Sequence, residues 1–415
     1  MPSIVVVGAG AAGLMAAIAA AERPSTGSGP SADVTVIERT RDGGRKILIS
    51  GGGRCNVLPA ALEPDRFVTG SPAHLLRGML RAWPLVSQRA FFENDVGVRL
   101  KLEDDTAKFF PVSDRARDVR DGLIALARRR GVQFQFDTSF TALSPGSDGW
   151  TVDTSRGSIA ARAVVLATGG LSVPATGSDG TGLRVAADLG HVLHDTYPAL
   201  TPLTSDPAVH ASLSGLSLPV RLRATWRGKV TEATGGLLFT HRGYSGPSVL
   251  DVSHVPVCSR LNGDGADARA VVRVAWSTKT ADEWQRDLQL SSGLVVNIVA
   301  REVPQRLAER LVKDAGMPAD RRTAELRRAE RTALVDLLTA SALPWTGDEG
   351  YQKAEVTGGG VALDEVNPRT LESRRHAGLF LCGEMLDAFG PIGGHNFAWA
   401  WATGRAAGLG AALVT

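Results

Sequence analysis

A chain of 415 residues is too long for one hydrophobic core to keep growing, so it should divide into two or three domains. With 43% hydrophobic and 21% charged residues and a mean hydropathy of −0.01, its make-up is that of a globular protein, which excludes a disordered or fibrous chain. The net charge of +3 comes without any stretch that interleaves Lys and Arg with aromatics, which argues against a nucleic-acid partner, and no apolar run reaches the ~18 residues of a membrane span.

Ile4 to Val7 is an apolar, β-branched run that leads straight into glycines, with no basic segment or cleavage site of a secretory leader, so it reads as a strand. Alanine-rich Ala11 to Glu22 should be a helix. Arg23 to Asp33, rich in Pro, Gly and Ser, should be a surface loop before a second strand at Val34 to Ile37 that ends at Glu38. Between strand and helix lies Gly8-Ala9-Gly10-Ala11-Ala12-Gly13, a G-x-G-x-x-G sequence in the context that this motif requires. Gly8 can make the tight turn, Gly10 removes a side chain where a pyrophosphate approaches beside Ala12, and Gly13 allows close helix packing. The helix start then offers free N–H groups to phosphate, and Glu38 can accept hydrogen bonds from the adenosine ribose while repelling a 2′-phosphate.

A second glycine-rich segment follows. Arg45 and Lys46 after Gly43-Gly44 could neutralise pyrophosphate, as could Arg54. In Ser50-Gly51-Gly52-Gly53-Arg54-Cys55-Asn56, Gly52 and Gly53 could let backbone N–H groups reach a cofactor, with Asn56 nearby. Cys55 could be an apolar neighbour of the cofactor or a nucleophile, and packing is favoured because no sequence partner would form its thiolate. Cys55, Cys258 and Cys382 are isolated and offer no metal-ligand spacing, so no metal site is expected and a reducing cytoplasm fits.

Further strands are predicted at Val132 to Phe136, Val164 to Ala167 and Leu379 to Cys382, with an amphipathic helix at Val119 to Arg130; together these suit a parallel sheet covered on both faces. Thr168-Gly169 ends one of these strands in a turn that can pass close to a dinucleotide. Between about Asp195 and Gly350 the pattern changes to polar alternation and then to charged helices, which reads as an inserted α+β domain. We expect an N-terminal cofactor-domain part at 1–194, a mainly-β insertion at 195–280, its helical part at 281–350, and the return of the cofactor domain at 351–415. In that last part Gly383, Glu384 and Asp387 follow a strand, and Gly393-Gly394-His395-Asn396 opens the final helix. The acids can bind ribityl hydroxyls, and the helix start can stabilise charge on a reduced flavin.

The N-terminal fingerprint, Lys46 to Asn56, Phe109-Phe110-Pro111-Val112-Ser113, Val165 to Gly177, Leu237 to Pro247, Ala354 to Val361 and Gly383 to Gly404 together resemble the BaiN/YhiN-type NAD(P)/FAD-dependent oxidoreductase family, within the glutathione-reductase-like FAD-binding fold. The resemblance implies a discontinuous, Rossmann-like α/β FAD-binding domain interrupted by a β-barrel-like part and a small helical part. It also puts Glu38 on the adenosine ribose and Gly393 to Asn396 near the isoalloxazine. One resemblance within the family points to conjugated ketones of bile-acid-like steroids. The chain departs from the family pattern at His395, where tyrosine is common, and at Ala398, where glutamine is common.

The expected activity is hydride transfer by FAD on a small-molecule acceptor or donor, such as a conjugated carbonyl or steroid-like compound, with NADH or NADPH as electron donor. The alternatives are an FAD-binding structural or redox-sensing protein without efficient turnover and a flavin-dependent nucleic-acid modifier, the latter disfavoured because no basic-aromatic stripe is evident. In the insertion, Thr240-His241-Arg242-Gly243-Tyr244 supplies candidate catalytic groups: His241 or Tyr244 as proton donor and Arg242 as holder of an anion, with His395 a further candidate beside the flavin. Substrate is expected to react at the junction of the FAD domain and the insertion. No sequence feature gives the oligomeric state.

Overall fold

Strand β1 (Ile4–Val7) consists of four buried β-branched residues, a composition that suits the middle of a sheet covered on both faces. Val34–Ile37 (β2) and Ala163–Leu166 (β4) flank it in parallel, with Ile4 opposite both Val34 and Ala163. Gln133–Gln135 (β3) adds to β2 and Leu379–Leu381 (β5) adds to β4. The result is a five-stranded, all-parallel sheet in the order β5-β4-β1-β2-β3. These strands are the ones the sequence predicts, to within a residue or two at each end. The computed structural model describes residues 3–22, 32–146, 148–263 and 269–415, and the loop expected at Arg23 to Asp33 lies almost wholly outside them.

Helix α1 (Ala11–Ala20) follows β1 and is buried on nearly every side, so it carries no polar face. The final helix (His395–Leu413) crosses it at glycines. A Cβ at Gly404 would lie 2.3 Å from the Ala12 carbonyl oxygen, and one at Gly408 would lie 2.1 Å from that of Ala16. Small residues on both helices are therefore what lets the C-terminal segment lie on the N-terminal one, and so closes a domain whose two parts are far apart in sequence.

The chain divides into two compact units, Met1–Tyr197 with Glu355–Thr415, and Pro198–Ala354. The second has a seven-stranded sheet in which Ser217–Trp226 pairs antiparallel with both Lys229–Phe239 and Val271–Ala275. Along Ser217–Trp226 the residues alternate, with Leu218, Val220, Leu222 and Ala224 inward and Arg221 and Arg223 outward. The family resemblance implies a barrel-like part, and among the described residues its strands form no closed barrel. The sheet is open, ending in Ser341–Ala342 on one side and Gly347–Asp348 on the other; these edge strands have two residues each and are not paired to one another. Helices 281–290, 305–314 and 328–340 share the core of the sheet, with Trp284, Leu307 and Leu334 in one cluster with Leu222, Phe239 and Val274. The strands and helices of this stretch therefore fold around one core.

Candidate functional site

A cleft of about 480 Å³ opens at the carboxyl ends of β1, β2, β4 and β5, where Val7, Ile37, Ala167 and Cys382 reach it. That is where an open parallel sheet binds nucleotides, and the volume is in the usual range for a cofactor site. Every described residue lining it belongs to the first unit.

The three fingerprint glycines have different reasons to be glycine. Gly8 has φ +102°, and a Cβ there would lie 2.7 Å from the Ala167 carbonyl oxygen. At Gly13 a Cβ would lie 1.8 Å from the Gly8 carbonyl oxygen, so this position carries the helix-to-turn packing. Around Gly10 a Cβ would meet nothing within 4 Å, although Gly10 lines the cleft together with Ala11 and Ala12. The helix starts there without a side-chain cap, which leaves its first-turn N–H groups available to an anion.

Glu38 is buried at the end of β2, and its carboxylate ties the turn together. Oε2 accepts from the Ala9 N–H at 2.8 Å, and Oε1 accepts from the Thr40 N–H at 2.8 Å and the Thr40 hydroxyl at 2.7 Å. A carboxylate has about four acceptor positions, so one remains for a ribose hydroxyl. On the other side of β1, the ammonium of Lys46 meets Glu384 Oε2 at 2.6 Å and bonds to the Ser172 hydroxyl. Glu384 Oε1 accepts from the Thr357 N–H at 2.9 Å and from Ser172, while Thr357 Oγ1 accepts from the N–H of Leu171 at 2.8 Å and of Ser172 at 3.1 Å. This network joins four distant pieces of chain beside the cleft. Neither Ser172 nor the pairing of Lys46 with Glu384 was marked by any sequence pattern.

Most expected cofactor residues line the cleft: Gly8, Gly10, Ala12, Glu38, Arg45, Lys46, Gly52, Asn56, Thr168, Gly169, Glu384, Gly393, Gly394 and Asn396. Arg45 is paired with Asp42 at 3.1 Å, and the Asn396 amide holds the turn before the last helix through Gly390. Gly13, Gly53, Arg54, Cys55, Gly383, Asp387 and His395 do not line it. Gly383 packs against α1, its Cβ position 2.7 Å from that of Ala12. Arg54 is held by Glu103 and by Asp114 at 2.6 Å, and it lies 4.1 Å over the Phe110 ring; the two carboxylates raise its pKa. Cys55 is fully enclosed, and burial pushes its thiol up to about 12, which agrees with packing and not with a nucleophile. Asp387 Oδ2 accepts from the Thr69 hydroxyl, the Gly70 N–H, the Ser71 N–H and the Ser71 hydroxyl at 2.8–3.0 Å, so it fastens the 69–71 turn; burial raises its pKa. His395 is buried against Phe67, ring centroids 6.0 Å apart, and burial lowers its pKa to about 4.

The insertion candidates belong to the second unit. His241 and Arg242 are exposed on a turn whose backbone bonds to Thr240 Oγ1. Tyr244 is in the core of that unit, its hydroxyl 2.8 Å from His210 Nδ1, and burial raises its pKa. It reaches no surface of the unit because alternation along Gly243–Ser245 turns it inward, paired with Leu203 and Phe239.

A parallel sheet with a phosphate-type glycine turn, an acidic residue after β2 and a glycine-opened last helix beside one cleft defines a Rossmann-type fold of the flavin-dependent oxidoreductase class. The chain matches the HI0933-like protein Rossmann domain over residues 2–410 and belongs to the HI0933-like family. It is 31% identical to the ribosomal RNA dihydrouridine synthase of Escherichia coli, over 96% of this chain and 95% of that protein. It is 30% identical to the 3-dehydro-bile acid delta(4,6)-reductase of Clostridium scindens, over 99% of each. In fold it is similar to the 3-ketosteroid-delta4-(5alpha)-dehydrogenase of Rhodococcus jostii RHA1, with a TM-score of 0.52 and 17% identity over 99% of this chain and 96% of that one. Among the described residues, no helix is long and apolar enough to cross a membrane, and no cluster of His, Cys, Asp and Glu could hold a metal ion.

Proposed function

We propose that this chain binds FAD in the cleft and reduces a carbon–carbon double bond conjugated to a carbonyl. The observation that carries the FAD part is the open space at Gly10 between the uncapped start of α1 and Glu38. It leaves room for a pyrophosphate, with an acceptor for adenosine ribose on one side and a cavity toward Gly393 and Gly394 on the other. Bound there, FAD would supply hydride, and the chain's part is to hold it and to manage protons. Lys46, fixed by Glu384 and Ser172, would orient the middle of the cofactor, and the start of the last helix would favour negative charge on the reduced ring.

The acceptor class comes from chemistry shared by the relatives. Uridine and dihydrouridine differ by two hydrogens across a double bond conjugated to a carbonyl, and a 3-oxo bile acid unsaturated at positions 4 and 6 presents the same grouping. Hydride added to the distal carbon of such a system leaves an enolate, which needs a cation or hydrogen-bond donor at oxygen and a proton at the near carbon. His241 and Arg242 stay in this reading as proton donor and anion holder, while the hydroxyl of enclosed Tyr244 is taken up by His210. The expectation of no nucleic-acid partner is set aside in favour of an acceptor class that includes uracil in RNA. Release of the cofactor from purified protein, followed by mass analysis, tests the first step: FAD is expected, and stoichiometric FMN with FAD unable to fill the apoprotein would overturn it. Anaerobic mixing with NADH and with NADPH then identifies the electron donor.

A further inference from the structure

Among the described residues, four cationic side chains line the cleft, and three of them are matched by a carboxylate. Arg39 pairs with Asp179, Arg45 with Asp42 and Lys46 with Glu384. The fourth is Lys108, on strand Lys108–Pro111, which pairs antiparallel with Leu58–Pro59 and Leu100–Glu103. Its directly opposed neighbour on the latter strand is Glu103, but that carboxylate is taken by Arg54. Among the described residues, no carboxylate lies within ion-pair distance of the Lys108 ammonium and no hydrogen bond forms to it.

The position of this charge is fixed by glycine. Gly393, at φ +106°, has its missing Cβ only 3.0 Å from Lys108 Cε and 3.7 and 3.8 Å from Cγ and Cδ, so the lysine stem lies along the face that a side chain would occupy. Gly394 is pressed against the neighbouring strand, its Cβ position 2.6 Å from the Leu58 carbonyl carbon, and it caps the final helix. Lys108 therefore stands beside the N-terminus of a 19-residue helix. Its charge also contributes to holding the His395 pKa down. A half-buried lysine without an ion-pair or hydrogen-bond partner, lining a cleft next to a helix N-terminus, is arranged for an anion that the protein does not itself provide.

We propose that Lys108 stabilises the negative charge that a bound flavin takes on when reduced. This rests on the FAD reading above. Reduction brings two electrons and one proton to the ring system and leaves one negative charge on it at neutral pH. A nearby cation lowers the energy of that form and not of the neutral oxidised one, so it raises the midpoint potential. The charge is what matters, so Lys108→Arg should preserve the effect and Lys108→Met should remove it.

The test is the midpoint potential of the flavin in the wild-type, Lys108→Met, Lys108→Gln and Lys108→Arg holoproteins, measured by equilibration with a reference dye after FAD occupancy has been matched. We expect the reduced form to lose at least tenfold of its binding preference in the two neutral variants, a fall of ~30 mV or more for a two-electron couple, and a near wild-type potential in Lys108→Arg. The ionisation of the reduced flavin, followed by absorbance against pH, should move up in the neutral variants. Normal FAD content with an unchanged potential in both neutral variants would overturn the assignment of Lys108 and leave FAD binding standing. A wild-type protein that takes up no FAD would overturn both.

Discussion

Gly10 and Gly13 are three residues apart in one motif, yet the structure predicts that they fail in opposite ways. A methyl at Gly13 would sit 1.8 Å from the Gly8 carbonyl oxygen, so Gly13→Ala must push α1 off the end of β1. Overpacking against backbone in a well-filled core costs about 1–3 kcal/mol, and at ~2–4 °C per kcal/mol for a domain of this size the apoprotein Tm should fall by roughly 2–12 °C. Gly10 is at φ −80° and ψ −171°, which any residue can adopt, and its Cβ position is open to the cleft. Gly10→Val should therefore leave the apoprotein Tm close to wild type and weaken FAD at least tenfold, a loss of ~1.4 kcal/mol or more. Thermal melts of the apoproteins and FAD titration by calorimetry read the two effects separately. Wild-type FAD affinity in Gly10→Val, or an apoprotein Tm lowered as far as in Gly13→Ala, would refute the assignment of this space to the cofactor.

Glu38→Ala removes the acceptor of the Ala9 and Thr40 N–H groups as well as the proposed ribose contact, so it should cost the apoprotein about 1–3 kcal/mol and also weaken FAD; calorimetry showing equal FAD affinity would eliminate the ribose contact. Burial holds His395 and His254 near a pKa of about 4, below the unfolded value, so both are neutral in the fold and the stability that depends on this is complete above pH ~6.5. As pH falls from there toward 4 the unfolded chain takes up the protons first, and denaturant melts should show stability falling by roughly 3 kcal/mol per histidine; a flat profile across that window would contradict the burial argument. Cys55 and Cys382, both pushed up to about 12, should resist thiol reagents at pH 8 in the native protein while half-buried Cys258 reacts first, and rapid loss of all three thiols would show that Cys55 is exposed.

The parts of the site legible in the sequence are those made by neighbours in the chain. Gly8, Gly10 and Gly13 follow a β-branched strand and open an alanine-rich helix, and Glu38 ends the next strand; Gly8, Gly10 and Glu38 line the cleft, while Gly13 packs against Gly8. Nothing local reports that Lys46 will meet Glu384 across 338 residues, nor that Lys108 will lie on Gly393. Such contacts join segments far apart in the chain, and no periodicity encodes them. Nearness in sequence also misled: Arg54 follows the glycine run, but its carboxylate partners lie 49 and 60 residues further on and draw it away from the cleft. Tyr244 is flanked by Gly243 and Ser245 in sequence, yet its strand pairing turns it into the core. The open sheet of the second unit has a similar cause, since the two-residue edge strands that leave it unclosed carry no sequence signal.

The reading of this protein as a flavin-dependent reductase of conjugated double bonds is tested most directly in its oxidative half-reaction. Holoprotein reduced anaerobically is mixed with a 3-oxo-Δ4 steroid, with uridine-containing ribosomal RNA, and with the saturated counterpart of each, and the return of oxidised flavin absorbance is followed. The account predicts rapid reoxidation by at least one conjugated acceptor, one saturated product per flavin, and no reaction with the saturated counterparts. Flavin that stays reduced with every conjugated acceptor, or that is reoxidised equally by the saturated compounds, would contradict it.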